Sequence, residues 1–144
     1  MPLQRDEAVT VLTAFHDLLE RADREGTAAF ERAFHKPPPG VGVHEIDLDH
    51  VLTRVSREEL KILGYTEAQM LGHPVWEFIV MQEASQRSID QKLKGKKDLR
   101  PFARTFRRAN GQAIPMLLMD RHLVDKEGRV VGIRTALTET KLLE

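Results

Sequence analysis

GYTEAQMLGHPVWEFI, from Gly64 to Ile79, is the stretch that decides the fold of this chain. Within it, Thr66 and Gln69 follow the T-x-x-Q pattern of a capping box, in which each side chain satisfies a free backbone amide at a helix start. Gly64 suits the left-handed backbone that ends a helix. The stretch therefore begins one short helix directly after the end of another.

Two strands and a helix are predicted before this stretch. Residues 41–48 and 51–55 have the alternating apolar pattern of short strands, separated by a turn at Asp47 to Asp49. Ser56 and Glu59 then fit the S-x-x-E form of the capping box, so a helix is expected to start at this point.

A longer helix and three more strands are predicted after the stretch. The helix covers residues 82–93, and the strands lie at about residues 102–109, 113–124 and 130–138. Asn110-Gly111 is the strongest short hairpin signal, and Asp125 to Gly128 forms a second, longer turn. The strand at 113–124 is apolar on both faces, so each face of the sheet needs a cover.

In this order the pieces resemble a PAS domain, a small sensory fold with helices packed on one face of a five-stranded antiparallel sheet. The resemblance rests on the Gly64-Tyr65 pair, on Gly72, on the Asn110-Gly111 turn and on the closing segment Thr138 to Lys141. It implies an α+β fold. It also implies a sensor or a dimerisation module rather than an enzyme.

The amino-terminal third is predicted to be helical. Residues 5–24 form an amphipathic helix, and a short second helix ends at the Pro-Gly segment 37–40, because three prolines cannot continue a helix. The expected organisation is an amphipathic helical cap at 1–36, a linker at 37–40, a PAS-like domain at 41–141, and the start of an exit helix or the end of the chain at 142–144.

One stripe of the first helix is too apolar to be left in water. It could cover the second face of the sheet, from the same chain or from a partner chain. We expect a homodimer with this stripe at its interface: Ala8, Val11, Leu12, Phe15, Leu18, Leu19 and Ala22.

The bulk composition indicates one ordinary domain. The chain has 144 residues with 22 Lys+Arg against 22 Asp+Glu, so its formal net charge is zero and nothing points to nucleic acid or to an anionic membrane. No apolar run is long enough to span a bilayer, and the first residues lack the features of a signal peptide. A cytoplasmic location is therefore expected.

PAS domains hold small ligands between the connecting helices and the sheet, which places a candidate pocket here. A lined pocket and a filled core have the same apolar pattern, so both interpretations stay open. The candidate lining residues are Trp76, Ile79, Ile89, Arg104, Phe106, Met116, Leu118, His122 and Thr135.

Basic residues concentrate between Lys92 and Arg108, which indicates either a solvated edge strand or an anion site. Arg104 is the best placed of them, because it alternates with Phe102 and Phe106. An inward Arg104 predicts a carboxylate ligand, or an internal acid such as Glu77 or Asp90.

Chromophores, metals and catalysis find little support in the sequence. The chain has no cysteine, which excludes the thiol adduct to flavin that the light-sensing branch of the family forms. Haem-binding relatives carry a histidine on the long helix after the Gly-Tyr segment, and residues 82–93 contain none. The six histidines lack zinc-site spacing, so no metal site is predicted. No hydrolase, metalloprotease or nucleotide-binding motif occurs.

The closing segment implies a route for signals, with one departure from the family. Thr138 and Lys141 match the D-I-T-x-x-K exit motif, but Ala136 replaces the aspartate that ties the last strand to the domain in the family. Thr138 is expected to cap an exit helix through Leu142 and Leu143.

These observations predict a sensory and dimerisation module in cytoplasmic signal transduction, acting with a small ligand or an effector protein. The alternative is a ligand-free interaction module that mediates homodimerisation. A haem or flavin redox sensor comes third.

Overall fold

The computed structural model describes residues 2–141, which form a five-stranded antiparallel sheet. The strands are β1 (Val41–Asp47), β2 (Leu52–Val55), β3 (Phe102–Arg107), β4 (Ala113–Val124) and β5 (Val130–Glu139). Their order across the sheet is β2-β1-β5-β4-β3, so the first and last strands of the fold are neighbours at its centre. The predicted α+β architecture is confirmed.

Helices cover both faces of this sheet. α3 (Arg57–Leu63), α4 (Glu67–Met70), a 3-10 helix (Val75–Phe78) and α5 (Gln82–Leu93) pack on what we call the inner face. α1 (Arg5–Glu25) and α2 (Thr27–Phe34) pack on the opposite, outer face. None of the helices in the described part of the chain has the length and apolarity needed to cross a bilayer.

Local signals set the helix ends on the inner face. Thr66 and Gln69 form the predicted capping box, and Gly64 ends α3 with a left-handed φ of 83°. Ser56 also caps as expected, because its hydroxyl accepts from the amide of Glu59. The second half of that capping box is a correction, since the Glu59 side chain turns into the core and bonds to His44 instead.

The outer face is covered by the chain's own first helix. Most of the apolar stripe of α1 is buried against the sheet, in one cluster with Val41 and Val43, namely Ala8, Leu12, Phe15 and Leu19. Ala22 is also buried. Val11 is partly buried and Leu18 is 41% exposed. Of the two covers left open, the same chain therefore buries most of the stripe, and the homodimer stays a prediction.

One polar side chain lies within this outer core. His16 of α1 is fully buried, and its Nε2–H donates to the backbone carbonyl of Met119 at 2.8 Å. Since a carbonyl can only accept, the proton is on Nε2, and Nδ1 has no hydrogen-bond partner among the described residues. Burial lowers the pKa of His16, and the nearby Arg121 and Arg134 charges lower it further.

The end of β5 is tied to the amino-terminal segment. Leu3 pairs in parallel with Thr140 through backbone hydrogen bonds on both sides. The Thr138 hydroxyl donates to the carbonyl of Gly40 at 2.9 Å. It thus joins β5 to the segment before β1 and does not cap a helix. The expected exit helix at Leu142 and Leu143 lies outside the described residues.

Candidate functional site

A row of buried polar side chains crosses the inner face of the sheet. His44 of β1 is paired with Thr135 of β5, and Thr135 is paired with Asp120 of β4, so the three side chains stand side by side. Glu59 of α3 closes the row at one end and Lys92 of α5 closes it at the other. We call these five residues the inner polar row.

At the α5 end, Lys92 and Asp120 form a buried ion pair. Lys92 Nζ lies 2.9 Å from Asp120 Oδ2, and the two side chains are only 3% and 4% exposed. Asp120 Oδ1 accepts a further hydrogen bond from the Thr135 hydroxyl at 2.7 Å. Burial lowers the pKa of Lys92 in spite of its partner, because removing an ammonium group from water is costly.

At the α3 end, His44 and Glu59 form a second buried pair. His44 Nδ1 lies 2.8 Å from Glu59 Oε2. Burial alone would lower the pKa of His44, but the charge and the hydrogen bond of Glu59 outweigh burial and raise it. The close approach of α3 requires Gly42, because a Cβ at that position would meet the Glu59 Cβ at 2.7 Å.

A small cavity lies between α5 and the inner polar row, with a volume of about 20 Å³. Such a space holds about one water molecule. Its wall combines apolar side chains with His44, Lys92, Asp120 and Thr135 of the inner polar row. Ser85 of α5 also lines it, and the buried Ser85 hydroxyl has no partner among the described residues.

Six of the nine predicted lining residues are brought together around this cavity: Ile79, Ile89, Arg104, Phe106, Leu118 and Thr135. The other three lie elsewhere. Trp76 faces the surface beside His50, and Met116 is fully buried in the inner core. His122 donates from Nε2 to the carbonyl of Lys92 at 2.9 Å, so it holds the end of α5 rather than facing the cavity.

The acids expected beside Arg104 have other partners. Glu77 lies 3.4 Å from His73, and Asp90 lies 2.8 Å from Lys94. The acid that does influence Arg104 is Asp120, which was not among the residues predicted from the sequence. Its signal was a carboxylate inside the apolar run of β4, since charged residues are almost never fully buried without a partner.

The comparisons with known proteins agree with this geometry. The family model described as "PAS domain" matches residues 40–140, which is most of the chain.

The chain belongs to the PAS domain family.

Solved PAS structures share the fold at low sequence identity. The PAS domain of an HTR-like protein from Haloarcula marismortui has 20% identity and a TM-score of 0.65, and the match covers 83% of this chain and 96% of that one. A PAS domain from Colwellia psychrerythraea has 14% identity and a TM-score of 0.66, with coverages of 76% and 92%. No curated protein matches the sequence.

Light-oxygen-voltage domains are also similar in fold. The blue-light photoreceptor Aureochrome1 LOV has 19% identity and a TM-score of 0.60, and the match covers 69% of this chain and 81% of that one. This PAS domain has no cysteine for a flavin adduct. Its cavity of about 20 Å³ holds about one water molecule, so a flavin ring does not fit unless α5 moves.

The outer face of this PAS domain carries a row of charged side chains, directly behind the inner polar row on the other face of the sheet. Glu45 of β1 is paired with Arg134 of β5, and Arg134 is paired with Arg121 of β4. Arg134 Nε lies 2.9 Å from Glu45 Oε2, and Arg121 bridges to Asp17 and Glu20 of α1. We call the set Glu45, Arg134 and Arg121 the outer ion-pair row. Through Arg121 it holds α1 on the sheet.

Proposed function

We propose that this PAS domain is a ligand-responsive sensor in which a small molecule enters between α5 and the inner polar row. The observation that carries the proposal is the Ser85 hydroxyl, which has no partner within residues 2–141 and lies in a cavity next to a buried ion pair. A buried polar group without a partner costs free energy, so a ligand that satisfies it is favoured. The PAS fold, a general sensory module, supports the same direction.

Ligand entry requires α5 to move, because the cavity holds only about one water molecule. α5 is well placed to respond. The Lys92 ammonium bonds to Asp120, and the Lys92 carbonyl accepts from His122, so the last turn of α5 is tied to β4 by two hydrogen bonds. A ligand that bonds to Asp120 or Lys92 would compete with these ties and shift α5 relative to the sheet.

Two substitutions of Ser85 test the proposal. Ser85→Leu fills the cavity and removes the hydroxyl, whereas Ser85→Ala removes the hydroxyl and leaves the space open. We expect a compound from a metabolite panel to raise the melting temperature of the wild-type protein most, that of Ser85→Ala less because the hydroxyl is gone, and that of Ser85→Leu not at all. Wild-type stabilisation that persists unchanged in Ser85→Leu would contradict the proposal, as would a panel without any stabilising compound.

A second candidate is a ligand-free interaction module, which the small size of the cavity favours. In this function the protein forms a homodimer or binds an effector protein through exposed positions of α1 such as Leu18, which is 41% exposed. Native mass spectrometry distinguishes the two, because it reports bound metabolites and oligomeric state together. Leu18→Glu is then expected to lower the dimer fraction at a fixed protein concentration.

The proposal assigns binding and no catalytic step. The two buried acids of the site, Glu59 and Asp120, are each engaged by a cation or a histidine, which supports a structural role for them. We propose that the module acts in the cytoplasm, without a nucleic acid or membrane partner. Fractionation of cells that produce a tagged protein would test this location.

A further inference from the structure

Arg104 of β3 is a half-buried cation that forms no ion pair with the part of the chain that the structure describes. Its Nη1 donates to the carbonyl of Ala103 at 2.9 Å, and its guanidinium lies 5.0 Å from the centre of the Phe102 ring. Among residues 2–141, no carboxylate oxygen lies within ion-pair distance of Arg104. Asp120 attracts it from further away but already bonds to Lys92. A partly buried charge in this situation is electrostatically unsatisfied.

The surroundings of Arg104 are strongly positive. The charge of Lys92 lies near those of both Arg104 and Lys97, and Asp120 is the acid that pairs with Lys92. Lys97 Nζ is held by a neutral group, the Ser88 hydroxyl, at 3.0 Å. Arg104 and Lys97 thus add two positive charges near the Lys92–Asp120 pair, and a second anion would be attracted to this place.

An open groove gives access to these cations. It has a volume of about 480 Å³ and lies between the end of α5 and the start of β3. Lys96 and Arg100 also line it, and its one acid, Asp98, lies 3.4 Å from Arg100. We call this space the basic groove.

The basic groove lies next to the inner cavity. Lys92, Phe102 and Arg104 line both spaces, so these side chains belong to the boundary between them. On the cavity side stands the buried Ser85 hydroxyl, which has no partner among the described residues. A ligand head group at Arg104 is thus close to a second unsatisfied polar group, which is independent of the surface charge.

We propose that the basic groove binds the oxyanion group of a small metabolite, a carboxylate or a phosphate, through Arg104 and Lys97. The guanidinium offers a planar pair of N–H donors to two oxygens of the anion, and the Lys97 ammonium adds a point charge. The rest of the ligand lies along the groove over Phe102. This assignment rests on the proposed sensor function and gives its ligand a chemical class.

The first test needs no ligand. In a low-salt buffer without multivalent anions, Arg104→Gln removes an unsatisfied charge, so its melting temperature is expected to equal or exceed that of the wild-type protein. Arg100→Gln is the matched control in the same groove, because the Arg100 side chain is 83% exposed. A clear fall in the melting temperature of Arg104→Gln alone would show that the fold already satisfies Arg104, and would overturn the proposal.

The second test is titration calorimetry with inorganic phosphate and with succinate, at constant ionic strength set by sodium chloride. One of the two anions is expected to bind, and the one that binds identifies the source of the oxyanion. Arg104→Gln and Lys97→Gln are expected to weaken binding about tenfold or more, and Arg100→Gln less than about threefold. Equal losses in all three variants would indicate general electrostatic attraction and overturn the proposed site.

Succinamide, the neutral analogue of succinate, is added to the metabolite panel as a neutral compound and is not expected to bind at the anion site. Neutral compounds of this kind separate the anion site from the sensor function on which it rests. If neutral compounds of the metabolite panel stabilise the protein while phosphate and succinate do not bind, the anion site is wrong and the sensor function stands. If no compound of either kind binds, both are wrong.

Discussion

Replacing Lys92 with methionine removes the cation of the buried pair and keeps a side chain of similar length. Asp120 is then left as a buried carboxylate, a change that costs about 3–5 kcal/mol in other proteins. Here the Thr135 hydroxyl still donates to it and the charge of Arg104 is near, so the lower end of that range, about 3 kcal/mol, is expected.

This loss converts into a large change in melting temperature. A chain of 144 residues has an unfolding entropy of about 0.3 kcal/mol/K near 60 °C. A destabilisation of about 3 kcal/mol therefore lowers the melting temperature by about 10 °C. Urea unfolding, followed by circular dichroism, measures the free energy directly, and a calorimetric scan measures the shift.

Two further variants control this experiment. Lys94→Met breaks the exposed pair with Asp90 on the same helix, where the side chains are 59% and 48% exposed, and should cost less than about 1 kcal/mol. Lys92→Met combined with Asp120→Asn removes both charges and should recover most of the loss. If Lys92→Met cost no more than Lys94→Met, the pair would be solvated and the reasoning refuted.

Two other outcomes follow from the buried hydrogen bonds. Glu59 raises the pKa of His44, so the stabilisation by His44 is complete below the ordinary pKa of 6.5 and declines as the pH rises above it. Burial lowers the pKa of His16, so the stabilisation by His16 is complete above pH 6.5 and declines as the pH falls. Urea unfolding from pH 5 to 9 should therefore show that His44→Gln costs most at acidic pH and His16→Gln most at alkaline pH, and parallel profiles would contradict both assignments. Ser56→Ala should lower the free energy of unfolding in urea by about 2 kcal/mol, because the buried hydroxyl accepts from the amides of Val43 and Glu59. The control Thr66→Ala removes an exposed cap with one such bond and should cost about 1 kcal/mol or less. Equal costs would count against the hydrogen bond from Val43.

Features encoded in a few neighbouring residues could be predicted from the sequence. The Thr66–Gln69 capping box, the Gly64 helix end and the bounds of α5 all depend on backbone groups within one or two turns. The order of the elements then led to the fold, because each strand and helix was identified by its own pattern. The apolar stripe of α1 was visible for the same reason.

The inner polar row could not be predicted, because its contacts depend on the register between distant strands. Asp120 and Thr135 become neighbours only when β4 and β5 pair, and Lys92 reaches them only after α5 packs on the sheet. Glu59 shows how a local pattern can mislead. Its position fits a capping box, but its carboxylate bonds instead to His44, a buried partner that is distant in the sequence. Periodicity likewise showed that α1 is buried, but not by which surface.

The two polar rows are joined by the covalent backbone. His44 and Glu45, Arg134 and Thr135, and Asp120 and Arg121 are consecutive residues, one on each face of a layer that is a single peptide thick. If a strand rolls about its own long axis, the side chains of both faces must swing in opposite directions together. A strand rotation caused by a change in the ion pair beneath α5 would therefore also move Arg121 relative to Asp17 and Glu20 of α1.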